Sequence, residues 1–187
     1  QMVADLETAG AGNSSPEPQS AFGNSLLFSA RTIALGDELW ITDGTAATTQ
    51  LLGDVNPGTS SSYPSLGVVF GGLYYYSATS PQYGREFYAT DGTPAGTSVA
   101  FELVPGPEGS GVAAPTPLGS NLVFVGDDGV SGSEPWISDT TPAGTSMLHD
   151  VQAQPGTASC SPSSLTVFDD RLFFLGTATN DPVGLLV

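Results

Sequence analysis

The chain of 187 residues carries 19 Asp and Glu side chains against 3 cations, the arginines Arg31, Arg85 and Arg171, for a net charge of −16 at pH 7. Affinity for nucleic acid draws on basic residues that displace counterions, so that function class is excluded and anionic membrane surfaces are disfavoured. No apolar run approaches the ~20 residues that span a bilayer, which predicts a soluble chain without membrane insertion.

A hydrophobic share of 39%, with the acids spread singly, argues for a packed core in one domain. The single cysteine, Cys160, rules out an internal disulfide, and 24 glycines with 15 prolines suit short strands and tight turns better than long helices. An acidic, lysine-free composition rich in Ser, Thr and Gly points to a secreted bacterial protein. The start shows no signal-peptide pattern, Asp5 following within four residues of Gln1, and is read as a mature or trimmed form.

In chain order, residues 2–6 (Met-Val-Ala-Asp-Leu) resemble the later segment Leu51-Leu52-Gly53-Asp54-Val55. Apolar runs follow at Ala21-Phe22 and 26–30, then Glu38-Leu39-Trp40-Ile41-Thr42-Asp43-Gly44-Thr45. That segment returns as Glu86-Phe87-Tyr88-Ala89-Thr90-Asp91-Gly92-Thr93 and as Glu134-Pro135-Trp136-Ile137-Ser138-Asp139-Thr140-Thr141, each 48 residues on. A glycine two residues upstream (Gly36, Gly84, Gly132) and an acid sixteen downstream (Asp54, Glu102, Asp150) keep the same step. Each period holds four short segments rich in β-branched and aromatic residues, bounded by Gly, Asn, Asp or Pro, which is the pattern of four antiparallel strands.

A four-stranded unit of about 40–50 residues is the size of a β-propeller blade. The expected architecture is one all-β domain over 1–187, a four-bladed propeller with repeats near 7–55, 56–103, 104–151 and 152–187. Residues 184–187 fall where a third strand belongs, so residues 1–6 are expected to complete the last blade and remove exposed sheet edges. The rival is an open run of the same sheets that completes itself between chains.

The segment 38–45 and the tract Asp54-Val55-Asn56-Pro57-Gly58 with Ser60-Ser61-Ser62 resemble the bacterial ELWxxDGT-repeat proteins over essentially the whole chain. The second repeat departs at Phe87-Tyr88, the third at Pro135 and Thr140, and the fourth has Leu185-Leu186-Val187 in place of the motif. The resemblance implies a secreted or surface repeat protein and supplies no catalytic residues.

Residues recurring in every repeat read as scaffold, because a catalytic centre is one asymmetric constellation whereas a packing solution is reused. Trp40, Tyr88 and Trp136 are therefore core plates, and Glu38, Glu86 and Glu134 are acceptors for backbone or hydroxyl donors. A paired-carboxylate hydrolase would need two acids across one cleft. Asp43, Asp91 and Asp139 allow two readings. One is calcium, which takes about six to eight oxygens from carboxylates and carbonyls. The other is an Asx turn in which each aspartate accepts its own backbone amides. His149 beside Asp150 lacks a nucleophile elbow, and Cys160 lacks the partners of a zinc or thiol site. The least repetitive chemistry is aromatic: Tyr63, Tyr74, Tyr75, Tyr76 and Tyr83 crowd close in sequence to Arg85, and Tyr74, Tyr75, Tyr76 and Tyr83 with Arg85 are the candidate surface for a sugar or a protein. The chain is thus expected to be no enzyme but a binding or adhesion module for carbohydrate or extracellular protein, with self-association into a matrix or filament as the alternative.

Overall fold

The computed structural model describes residues 2–6, 12–150, 159–178 and 181–186. These form strands and turns, with no helix among the described residues, in four antiparallel sheets taken in chain order. The first sheet is β1 (Glu17–Phe22), β2 (Ser25–Thr32), β3 (Gly36–Thr42) and β4 (Gln50–Leu51). The second is β5 (Val68–Phe70), β6 (Leu73–Ser80), β7 (Gly84–Thr90) and β8 (Ser98–Phe101). The third is β9 (Ala113–Leu118), β10 (Asn121–Asp127), β11 (Ser133–Ser138) and β12 (Thr145–Met147). The fourth has three strands, β13 (Ser163–Phe168), β14 (Arg171–Ala178) and β15 (Asp181–Leu186).

Each sheet follows chain order, so every connection inside it is a hairpin or short loop. The first two strands of a repeat meet at a two-residue turn whose backbone needs positive φ. Gly71 and Gly72 supply it at 57° and 85°, and Asp169 and Asp170 at 52° and 56°. The sequence repeat is also a register repeat: Phe28 opposes Trp40 and Ala30 opposes Glu38, as Phe124 opposes Trp136 and Gly126 opposes Glu134.

The chain divides into two compact units, Gln1–Gln82 with Tyr88–Val99, and Tyr83–Phe87 with Ala100–Val187. In the second unit the faces of β10 pack in opposite directions, as alternation along a strand requires. Phe124 joins Phe87, Phe101, Val112 and Trp136 in one cluster, while Val123 joins Cys160, Leu172 and Phe174 in another.

One expectation is corrected. Residues 2–6 form no strand, and the sheet ending at β15 stays three-stranded. Met2, Val3, Ala4 and Leu6 instead line a hollow of about 380 Å³ together with Leu26 and Phe28 of β2, and Met2 and Val3 stay exposed.

Candidate functional site: a buried glutamate clamp

In the first three repeats a left-handed glycine stands at or just before the start of strand three, with φ of 69° at Gly36, 63° at Gly84 and 74° at Gly132. A Cβ on Gly36 would lie 2.3 Å from the Ser60 carbonyl oxygen, and one on Gly84 2.4 Å from the Gly109 nitrogen. Only glycine lets the loop leading to the next repeat come this close. Two residues later stands the motif glutamate, and Glu38, Glu86 and Glu134 are all 0% exposed.

Each carboxylate grips that loop. Glu38 accepts from Ser62 Oγ at 2.6 Å and from the backbone amides of Ser62, Val55 and Asn56 at 3.1, 3.2 and 3.4 Å. Glu86 accepts from Ser110 Oγ at 2.6 Å and from the amides of Leu103 and Val104 at 3.5 Å each. Glu134 accepts from the amide of Cys160 at 2.9 Å. Burial pushes Glu38 up to about 7, against hydrogen bonds from Ser62, Val55 and Asn56 that favour the ionised form; Glu86 is raised for the same first reason.

The gripped residue also reaches the next sheet. The carbonyls of Ser62, Ser110 and Cys160 accept from Thr79, Asp127 and Thr177 at 2.8, 2.9 and 2.8 Å, and Ser14 accepts from Arg31 at 2.9 Å. Immediately after it the backbone turns left-handed in every repeat, at Ser15 (φ 40°), Tyr63 (50°), Gly111 (59°) and Ser161 (47°). Three of these four are not glycine, a conformation costing about 1–2 kcal/mol per L residue that the surrounding bonds must outweigh. The glutamate thus couples strand three of one repeat to strand two of the next through a single residue.

Sequence reasoning missed the far half of this clamp. Ser62 and Ser110 keep the 48-residue step and were legible. Cys160 stands 50 residues after Ser110, so a two-residue insertion hides it. It is a buried clamp residue in which a thiol replaces a hydroxyl. Burial first, and Glu134 beside it, push that thiol well above its ordinary range, so it stays protonated and inert.

The turn aspartates close their own loops. Asp91 Oδ1 accepts from the Thr93 amide at 2.9 Å and its hydroxyl at 2.7 Å, and Asp139 Oδ1 from Thr141 at 2.9 and 2.6 Å. Asp43 does the same with Thr45 at 3.0 and 2.9 Å and adds the hydroxyl of Thr48. These hydroxyls hold all three carboxyls below the usual aspartate range. Gly96 and Gly144 follow the same turn, where a Cβ would fall 2.1 Å from the carboxylate; the first repeat has Thr48 at that position and uses its hydroxyl instead. Each turn brings one carboxylate, and no group of three His, Cys, Asp or Glu able to hold a metal occurs among the described residues.

The tyrosine surface is corrected. Tyr74, Tyr75 and Tyr76 are 0%, 5% and 1% exposed, because both faces of β6 are covered. Tyr74 and Tyr76 stack at 5.7 Å, Tyr76 meets Tyr88 at 6.0 Å, and Tyr75 packs edge-on to Phe70 at 6.4 Å. Tyr74 Oη donates to Gln19 at 3.2 Å and accepts from the Gly67 amide at 2.8 Å, which makes it a strut. Tyr83 and Arg85 are half-buried; the Arg85 carbonyl accepts from Ser110 at 3.2 Å, and burial lowers its guanidinium pKa. Trp136 is buried, its Nε1 donating to Gly126 at 3.0 Å, and Trp40 is half-buried. His149 is exposed beside half-buried Asp150.

No family model matches the chain, and no curated protein is similar to it.

Proposed function

We propose that this chain is a non-catalytic structural repeat module, each period one blade of a β-propeller-type array, from a secreted bacterial protein of the ELWxxDGT kind. Its role is to hold serial sheets in register and to offer loops and sheet faces to partners. The observation that carries the reading is the fate of the motif acids: all three glutamates are fully buried, and each accepts hydrogen bonds from the loop that follows. A paired-carboxylate hydrolase needs two acids open to one cleft, and these acids are occupied in separate clamps. Substitution tests it. Glu86→Ala must weaken the fold; a Glu86→Gln variant that keeps full stability yet loses hydrolysis of a glycoside panel would overturn the reading.

A carbohydrate-binding role is favoured by Tyr63 of the tyrosine patch and not by the buried tyrosines of β6. Tyr63 is 65% exposed and lines a hollow of about 230 Å³ with Glu17, Asp37 and Pro64. A ring beside two carboxylates suits stacking and hydrogen bonding to a sugar. Glycan-array binding that disappears in Tyr63→Ala supports this second role, and a flat array removes it.

A further inference from the structure

The first sheet departs from the repeat at one place. Glu17 opposes Ser29 across the ladder of β1 and β2. One period on, the same pair is Ser65 and Ser77, whose hydroxyls bond to each other at 2.8 Å; two periods on it is Ala113 and Val125, both apolar. Asp37 likewise becomes Arg85 and then Ser133. Tyr63 holds the left-handed position that is Ser15, Gly111 and Ser161 in the other repeats. A residue held constant is scaffold, whereas these three departures, Glu17, Asp37 and Tyr63, converge with Ser29 on one hollow of about 230 Å³.

Both walls of the hollow are tied down. Gln19 Nε2 donates to the Pro64 carbonyl at 3.3 Å and to Ser29 Oγ at 3.4 Å, while its Oε1 accepts from buried Tyr74. On the other side the Asp37 carbonyl accepts the Ser62 amide at 3.0 Å and Glu38 grips the Ser62 hydroxyl, so the clamp sets the direction of Tyr63, the next residue. Tyr63 is 65% exposed and Ser29 only 9%, which gives the hollow an aromatic rim and a buried hydroxyl. Among the described residues that hydroxyl receives Gln19 alone, and its own proton has no acceptor. Where Ser65 ties down Ser77 in the second repeat, Glu17 makes no such bond to Ser29 and stays exposed. Arg31 opposes Asp37 across β2 and β3, but it is exposed and does not line the hollow. Two carboxylates against that one cation leave the place net negative, in a chain whose charge of −16 draws cations.

We propose that the sugar taken by this hollow is an amino sugar with a free ammonium group, one ring of a glucosamine-type polymer. The inference rests on the carbohydrate reading of Tyr63 given above. The apolar face of the ring stacks on Tyr63, the ammonium pairs with Glu17 and Asp37, and a ring hydroxyl accepts from Ser29 Oγ. An acetylated or neutral sugar keeps the stacking and loses the charge pair. A lysine side chain brings the charge but neither a flat face nor an acceptor for Ser29. The hollow is smaller than the ~300–1,000 Å³ clefts that enclose drug-sized ligands, so it takes a single ring and leaves the rest of the polymer outside.

Calorimetric titration of the full chain at mildly acidic pH, where the amine is charged, tests this with four probes: a glucosamine hexamer, its N-acetylated counterpart, a glucose hexamer and a hexalysine peptide. The glucosamine hexamer should bind about 5-fold tighter than the acetylated one, the factor one exposed charge pair supplies, and added salt should shrink that margin. Asp37→Asn and Glu17→Gln should each remove much of the margin, and Tyr63→Ala should abolish binding, all three with unchanged melting midpoints. Equal affinity for the glucosamine and acetylated hexamers, with binding still lost in Tyr63→Ala, overturns the amino-sugar assignment and leaves the carbohydrate reading standing. Binding of no sugar at all overturns both. Hexalysine that binds as tightly as the glucosamine hexamer overturns the assignment as well, since charge alone would then suffice.

Discussion

Replacing Glu38 by alanine removes the acceptor for one hydroxyl and three backbone amides at 2.6 to 3.4 Å; Ser62 keeps the Asp37 carbonyl for its amide at 3.0 Å and its hydroxyl at 3.2 Å, whereas the amides of Val55 and Asn56 lose theirs. A buried donor left unpaired costs about 1–3 kcal/mol, although water entering the vacated space re-satisfies some of them. The expected loss is therefore about 3–5 kcal/mol, the range found when one partner of a buried charged set is removed. Glu86 holds the Ser110 hydroxyl at 2.6 Å, but its amide donors Leu103 and Val104 stand at 3.5 Å, longer than those of Val55 and Asn56 on Glu38, so Glu86→Ala should lose less, about 2–3 kcal/mol. Urea unfolding reads both as a lowered midpoint with an unchanged slope. Heating reads them as a fall of about 2–4 °C per kcal/mol for a chain of this size. A Glu38→Ala variant within about 1 kcal/mol of the parent, below the cost of one unpaired donor, would refute the clamp, as would a larger loss at Glu86 than at Glu38.

Stability should fall as pH rises. Glu38 keeps its proton to about 7 when folded and releases it near 4.5 when unfolded, so the folded chain binds more protons between those values. Its contribution is full below the lower value and is lost through the higher, up to about 3 kcal/mol, and Glu38→Gln should flatten that part of the profile. Stability that climbs from mildly acidic to mildly alkaline pH contradicts the sign. Gly36→Ala, at φ 69° and 2.3 Å from a carbonyl oxygen, should cost more than about 2 kcal/mol, while Gly23→Ala, at φ 60° with nothing near it, should cost about 1. Urea midpoints that rank them the other way reject the close-approach account. Cys160→Ser should fold with equal or greater stability because it restores the hydroxyl that Ser62 and Ser110 provide. The native thiol should resist a thiol reagent until the chain unfolds, and rapid labelling would show that Glu134 does not enclose it.

The strands, their order and the scaffold role of the glutamates were readable because a 48-residue repeat samples the same environment three times. Repetition reveals which residue is held constant, but not what touches it. Ser62 looked like one serine among three, and its part shows only when the loop folds back on Glu38. The tyrosines misled for a related reason. A strand covered on both faces has no polar alternation, so Tyr74, Tyr75 and Tyr76 carry no mark separating a packed strand from an exposed aromatic surface. Residues 2–6 match strand four in sequence yet form no strand, because so short an apolar segment carries too little pattern to decide whether it joins a ladder.

The clamp makes its most direct claim about loop amides that no strand protects. Native-state hydrogen exchange at Val55 and Asn56 measures it. The account predicts that these two amides exchange only with global unfolding and become fast in Glu38→Ala, because their acceptor is a buried carboxylate, while the Ser62 amide keeps the Asp37 carbonyl at 3.0 Å. Exchange in the parent chain as fast as in an exposed Gly/Ser loop would contradict it.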